Sequence, residues 1–117
     1  MDSETLPDQV AKFVMTCNNE VLKGMTVSSI ARRFKVDRSH LAREFKSDKN
    51  FTLCQFIQRE KMVRAAMLLR ETTDLTVAKL SESLGFCSAE YFRGLFKRYF
   101  GVVPSKYRKY KNHCEKR

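Results

Sequence analysis

Hydrophobic residues recur three and four positions apart along nearly the whole chain, and no segment alternates as a strand would. The pattern predicts an all-α fold of about seven helices. We expect the first helix over residues 7–23, with Pro7 at its start and Gly24 after its end. Its apolar stripe consists of Val10, Phe13, Val14, Cys17, Val21 and Leu22.

The later helices are bounded by capping and stop residues. A long helix is predicted over about residues 52–71, and Thr72-Thr73-Asp74 interrupts it. Short helices of similar length lie on both sides of this long helix, and Pro104 starts a last one through Tyr107. The predicted boundary residues of the short helices are Thr26, Asp37 or Ser39, Asn50, Thr76, Gly101 and Pro104.

The chain contains a divergent internal repeat. Thr26-Val27 matches Thr76-Val77 at an offset of 50 residues, whereas Leu41 and Phe45-Lys46 match Phe92 and Phe96-Lys97 at an offset of 51. The one-residue slip falls in a turn, where it leaves the apolar faces of the helices in phase. Each repeat is a short helix, a short turn and a second helix, which is the helix-turn-helix plan.

These elements predict the domain organisation. Residues 1–6 are expected to be a linker or disordered start, and residues 7–110 the folded domain. Within the domain, the first helix-turn-helix unit covers about 7–50, the linker helix about 52–71 and the second unit about 75–109. Residues 111–117 form a basic tail.

Charge indicates a polyanionic partner. The chain has 23 Lys and Arg against 13 Asp and Glu, a formal net charge of +10. The excess lies from Met25 onward, where 21 bases face nine acids. A field of this sign favours capture of a polyanion, but charge alone leaves DNA, RNA and an anionic membrane open.

Cysteine and histidine placement argues against a metal site and against export. The four cysteines lie far apart and the only histidines are His40 and His113, so no zinc finger can be assembled. No signal peptide and no apolar run of about 18 residues is present, which favours a cytoplasmic protein with reduced thiols and no membrane partner. We expect Cys17 and Cys54 to be small core residues. No catalytic motif or cofactor-binding loop is present, so the chain is not expected to be an enzyme.

One continuous string carries a family resemblance. The sequence from Gly85 to Arg108 reads GFCSAEYFRGLFKRYFGVVPSKYR. With the looser match of the first unit, the segment Ile30–Tyr107 resembles the DNA-binding domain of the AraC/XylS family of bacterial regulators. Asn50 stands where that family commonly has glycine. Lys61 stands where the family often has arginine, and this second departure concerns the polar contacts of the linker helix.

The resemblance implies a sequence-specific binder of double-stranded DNA that regulates transcription, more often as an activator contacting RNA polymerase. It also implies a rigid linker helix that places two recognition helices in successive major-groove segments, about 34 Å apart. Localisation is then the bacterial cytoplasm, at the nucleoid. The family usually adds a sensing or dimerising domain on the N-terminal side, so two interpretations stay open: the effector piece of a larger regulator and a small stand-alone regulator. The alternative is a non-specific binder of RNA or an architectural DNA binder.

The candidate base-reading residues are those on the solvent-facing sides of the two predicted recognition helices. Leu41 and Phe45 point inward in the first recognition helix, as do Phe92 and Phe96 in the second, so the opposite faces are free. These faces carry Arg38, Ser39, Ala42 and Arg43 in the first helix and Ala89, Glu90 and Arg93 in the second. Arg43 and Arg93 are the strongest candidates, because arginine bonds guanine O6 and N7 together.

Other polar residues are expected to hold the phosphate backbone. They are Thr26, Ser28, Arg32, His40, Lys46, Thr76, Lys79, Lys97, Arg98, Lys106 and Arg108. Tyr91, Tyr99 and Tyr107 are expected to pack rather than bind. Gly94 offers no side chain to a base, so we expect the first unit to carry most of the specificity.

Overall fold

The computed structural model describes residues 4–71 and 74–108. This part of the chain holds eight helical segments and no strand, which confirms the predicted all-α fold. The predicted break at Thr72-Thr73 and the basic tail lie outside the described residues. The helices are α1 (Leu6–Thr16), α2 (Asn19–Lys23), α3 (Val27–Arg33), α4 (Arg38–Lys49), α5 (Leu53–Glu71), α6 (Val77–Ser83), α7 (Ala89–Phe100) and α8 (104–108).

The prediction of one helix over residues 7–23 is wrong, because the chain breaks it at Cys17 and Asn18. The amide of Val21 donates to Asn18 Oδ1 at 2.9 Å, so Asn18 is the N-cap of a separate helix, α2. The break shifts the helical phase, and Val21 is exposed whereas Leu22 is buried. At the other end α1 begins at Leu6, because Thr5 caps it by accepting from the Asp8 amide.

The chain divides into two compact units, residues 1–60 and 61–117, with the division inside α5. In the first unit Phe45 is fully buried, and its ring centroid lies 6.0 Å from that of Phe51 and 5.5 Å from that of Phe56. The buried core of this unit consists of Val10, Val14, Leu22, Met25, Val27, Ile30, Ala31, Leu41, Phe45, Leu53 and Ile57.

The second unit is built on the same plan. Phe96 is fully buried, with its ring centroid 5.7 Å from Phe92 and 5.3 Å from Tyr107. The core of this unit consists of Met62, Ala65, Ala66, Leu69, Leu80, Leu84, Phe92, Leu95 and Phe96. The side chains of α5 thus serve both cores, Leu53 and Ile57 in the first unit and those from Met62 to Leu69 in the second.

The structure confirms that the slip between the repeats falls in the turn. Helices α3 and α6 each have seven residues, and α4 and α7 each have twelve. The turn between helices contains one residue more in the second unit. Each turn holds one residue in the left-handed region, Lys35 at φ 59° and Gly85 at φ 84°. Asn50 and Gly101 then end α4 and α7 in the same left-handed conformation.

A salt bridge joins α1 to the end of α4. Lys49 Nζ lies 2.7 Å from Asp8 Oδ1 and also 3.4 Å from Asp48 Oδ2. The hydrogen bond from Lys49, helped by one from Thr5, lowers the pKa of the Asp8 carboxyl below its ordinary value. The same hydrogen bond raises the pKa of the Lys49 ammonium. Helix α1 is therefore held to α4 by charge as well as by apolar packing.

The two left-handed turn residues give a first prediction. Gly85→Ala should lower the free energy of unfolding by about 1–2 kcal/mol, because a Cβ is strained in this region. Lys35→Gly should raise the free energy of unfolding by up to about 1 kcal/mol, since strain is removed while the unfolded chain gains freedom. Urea denaturation of the two variants beside the wild type checks both signs. A neutral Gly85→Ala would contradict the assignment.

The Asp8–Lys49 pair gives a second prediction. Because the folded pKa of Asp8 is depressed, its stabilising contribution is present above the unfolded value of about 3.9 and is lost as the pH falls below it. Thermal unfolding from about pH 5 to about pH 2 should therefore show a steeper loss for the wild type than for Asp8→Asn. Glu20→Gln, a matched change at an exposed acid, is the control and should keep the wild-type slope. Parallel curves for Asp8→Asn and wild type would contradict the role given to the pair.

Candidate nucleic-acid interface

Burial on one side of α4 fixes what the other side presents. Leu41 and Phe45 are completely buried, and Asp37 caps the helix by accepting from the His40 amide at 3.1 Å. With a turn of about 100° per residue, Arg43 points directly away from the core. Ser39 and Lys46 flank it on the same exposed side.

All four predicted base-reading residues of α4 are exposed and line one open groove of about 790 Å³. Helix α4 forms its length, while Val27 at the start of α3 and the residues around the start of α5 form its sides. The full lining is Val27, Arg38, Ser39, Ala42, Arg43, Glu44, Lys46, Ser47, Thr52, Leu53 and Cys54. The structure thus brings together the residues that the sequence placed on one helix face.

Several groove residues were missed by the sequence reasoning. Ser47 lies one turn after Arg43, so the helical spacing could have found it. Thr52, which precedes α5, and Cys54, in its first turn, line the groove only because the fold brings the start of α5 next to α4. The expectation that Cys54 is a core residue is wrong, because Cys54 is exposed, whereas Cys17 is partly buried against the first core.

The wall at the start of α5 is held by reciprocal side-chain hydrogen bonds. The Thr52 amide donates to Gln55 Oε1 at 2.9 Å, and the Gln55 amide donates to Thr52 Oγ1 at 3.0 Å. This is a capping box, which fixes the first turn of α5. The two hydrogen bonds therefore hold in place the residues of α5's first turn that form the wall of the groove.

In α7 the buried side chains are Phe92, Leu95 and Phe96. Glu90 and Gly94 lie within roughly 30° of the direction opposite to them, whereas Arg93 lies roughly 70° away. All three are exposed, and Ala89 is half-buried. The centre of the outward face of α7 is therefore formed by Glu90 and Gly94, with Arg93 at its side.

The predicted phosphate-binding residues are exposed, with one exception. Thr26 and Thr76 act as N-caps, accepting from the amides of Ser29 and Lys79 at 3.0 and 3.1 Å. Each hydroxyl keeps a hydrogen to donate.

Arg108 is the exception to exposure. It is half-buried, and its Nε donates to the Leu69 carbonyl at 3.2 Å. Its Nη2 is buried and has no hydrogen-bond partner in the described structure. The structure therefore gives Arg108, at the end of α8, an internal role, because it joins that residue to the end of α5.

The tyrosines differ from one another. Tyr107 packs on Phe96 and Phe100, as expected. Tyr91 and Tyr99 are 49% and 40% exposed, and the Tyr99 ring centroid lies 6.4 Å from that of Phe100. Tyr91 lies to one side of the buried stripe of α7, whereas Tyr99 lies in line with that stripe, three residues after Phe96, near the end of the helix.

Lys61 has an apolar environment within the second unit. Its Nζ lies 5.7 Å from the centroid of the Phe86 ring, in the turn before α7, and burial lowers the pKa of the ammonium. The contact is a cation–π interaction. The family often has arginine at this position of the linker helix. In this chain the lysine there contacts Phe86, in the turn before α7.

None of the helices in the described part of the chain is long and apolar enough to cross a membrane. No group of three or more His, Cys, Asp and Glu in that part of the chain is placed to hold a metal ion.

The comparisons with known proteins agree with this geometry. Residues 30–110 match the family model described as a helix-turn-helix domain. The Msm operon regulatory protein of Streptococcus mutans serotype c is 33% identical over 102 residues. That alignment covers 87% of this chain and 35% of the relative, so the chain spans about a third of its length.

Solved structures show the same fold. The C-terminal domain of the response regulator AraT from Geobacillus stearothermophilus superposes with a TM-score of 0.78 at 23% identity, covering 93% of this chain and 88% of that one. The DNA-binding domain of AdpA, solved with a target DNA, superposes with a TM-score of 0.74 at 24% identity, covering 91% and 92%. At these identities the likeness concerns the fold.

The family match covers more than half of the chain. The chain therefore belongs to the helix-turn-helix family and is a DNA-binding domain of the AraC/XylS type. The relatives that match it are chiefly transcription regulators.

Proposed function

We propose that this chain is the DNA-binding part of a bacterial transcription regulator in which α4 and α7 each read one segment of the major groove. The observation that carries the proposal is the groove along α4, because Arg38, Ser39, Ala42 and Arg43 all line it. Two recognition helices of equal length, with side-chain N-caps and left-handed ends in both, give each unit the same means of presenting an outward face.

Within this proposal Arg43 is the principal base reader. It points directly away from the buried Leu41 and Phe45, and it is free to bond guanine O6 and N7 together. Ser39 and Ala42 accompany it in the groove. In α7, Glu90 can accept from cytosine N4, and Arg93 reaches the duplex from the side of the face.

The exposed cations and cap residues supply the contacts to the backbone. Lys46 lies in the groove one turn beyond Ala42, and Lys97 is its counterpart on α7. The remaining proposed phosphate ligands are Thr26, Ser28, Arg32, His40, Thr76, Lys79, Arg98 and Lys106. These contacts set affinity and register rather than sequence preference.

At the level of the whole protein, we propose regulation of transcription, in the activating sense, through contact with RNA polymerase in the bacterial cytoplasm. A further sensing or dimerising domain is the second proposed partner. The support for it is that the matched segment is about a third of the Streptococcus mutans relative.

The alternative is a non-specific nucleic-acid binder, and sequence preference separates the two. Selection from a random duplex pool should return a bipartite motif, with one half for each recognition helix. Equal affinity of the chain for selected and scrambled duplexes, or a preference for RNA, would support the alternative and contradict the regulator proposal.

Arg43→Ala tests the reading role of α4. It should weaken binding by about 1–3 kcal/mol and relax the preference in one half of the motif, because a bidentate base contact is lost. Lys12→Ala is the control, since Lys12 lies on α1 and pairs with Glu4 at 3.1 Å, and it should leave the motif and the affinity unchanged. Binding measured by fluorescence anisotropy checks both. An unaltered motif after Arg43→Ala would refute the assignment.

Lys46→Ala tests the backbone contacts separately. It should weaken binding to selected and scrambled duplexes by the same factor and reduce the slope of log affinity against log salt by about 1, because one phosphate contact is lost. Titrations at several salt concentrations measure the slope. A selective loss for the selected duplex, with the slope unchanged, would show that Lys46 reads bases instead.

A further inference from the structure

Gly94 occupies a place where the fold gives no reason for a glycine. It lies inside α7, five residues after the helix begins, and it is exposed. A Cβ built on it meets no atom within 4 Å. Its backbone is not in the left-handed region, where the described glycines are Gly85 and Gly101.

A glycine in a helix interior destabilises the helix relative to alanine, because glycine loses more backbone freedom on folding. Neither backbone strain nor crowding by a neighbouring side chain offsets that loss at Gly94. No contact within the described structure therefore explains the glycine. The explanation must lie in an external surface that α7 contacts.

The position of Gly94 identifies that surface. Helices α4 and α7 have twelve residues each and start after a side-chain N-cap, Asp37 and Ser88. Six positions from the cap stand Arg43 in α4 and Gly94 in α7. Gly94 is thus the counterpart of the proposed principal base reader, and it lies near the centre of the outward face beside Glu90.

We infer that Gly94 is a specificity-determining residue whose missing Cβ lets the backbone of α7 lie directly against base edges in the major groove. The inference rests on the proposed function. Close approach at this point brings Glu90 and Lys97, one turn away on either side, within reach of the duplex. A side chain at position 94 would hold the helix away from the bases, whereas Arg43 in the first unit reaches across the larger gap.

Gly94→Ala separates folding from binding, because the two effects have opposite signs. The thermal midpoint should rise, since alanine favours the helix. Affinity for the duplex returned by selection should fall about tenfold or more, as expected for an extra carbon in a close contact. Gly94→Leu should fall further. The loss should concern the half of the motif that Arg43→Ala leaves intact, measured with duplexes in which one half is scrambled.

Gly24→Ala is the matched control. Gly24 ends α2, a Cβ there also meets nothing within 4 Å, and its φ of −103° suits alanine. The Gly24→Ala variant should bind the selected duplex with the affinity of the wild type. Wild-type affinity for Gly94→Ala, while Arg43→Ala still binds weakly, would overturn this inference alone. Failure of the wild type to prefer the selected duplex would overturn the proposed function together with it.

Discussion

Burial of two apolar side chains on each recognition helix is the constraint on which the rest of the molecule depends. Leu41 and Phe45 in α4, and Phe92 and Phe96 in α7, are completely inaccessible to solvent. Because one residue corresponds to about 100° of rotation, exchanging any of these contacts for a neighbour would turn the outward face away by more than a quarter turn. Core packing therefore decides which side chains a duplex can meet.

The two units satisfy this constraint with different local chemistry. In the turn before the recognition helix, Lys35 and Gly85 both take the left-handed conformation, although only glycine takes it without strain. The N-caps that follow are Asp37 and Ser88. Because the extra residue of the second unit is absorbed in the turn, both recognition helices start in phase with their cores.

The outward faces then differ in what they offer. In α4, Arg43 lines a groove, and the capped start of α5 forms one wall of that groove. In α7, Gly94 stands at the corresponding place with open space around it. One fold can thus present a long cationic side chain in one unit and a bare backbone in the other, because the outward face contributes little to folding.

The sequence alone determined the all-α class, the two repeats, the slip in the turn and the outward position of Arg43, since local periodicity and capping encode these features. It could not determine the break at Asn18, because a single capping asparagine is a weaker signal than the helical periodicity of the apolar residues around it. Only the tertiary structure decided that Cys54 joins the groove and that Arg108 turns inward to Leu69. Those placements depend on how segments distant in sequence pack together. The spacing of residues along one helix does not determine which helix lies next to it.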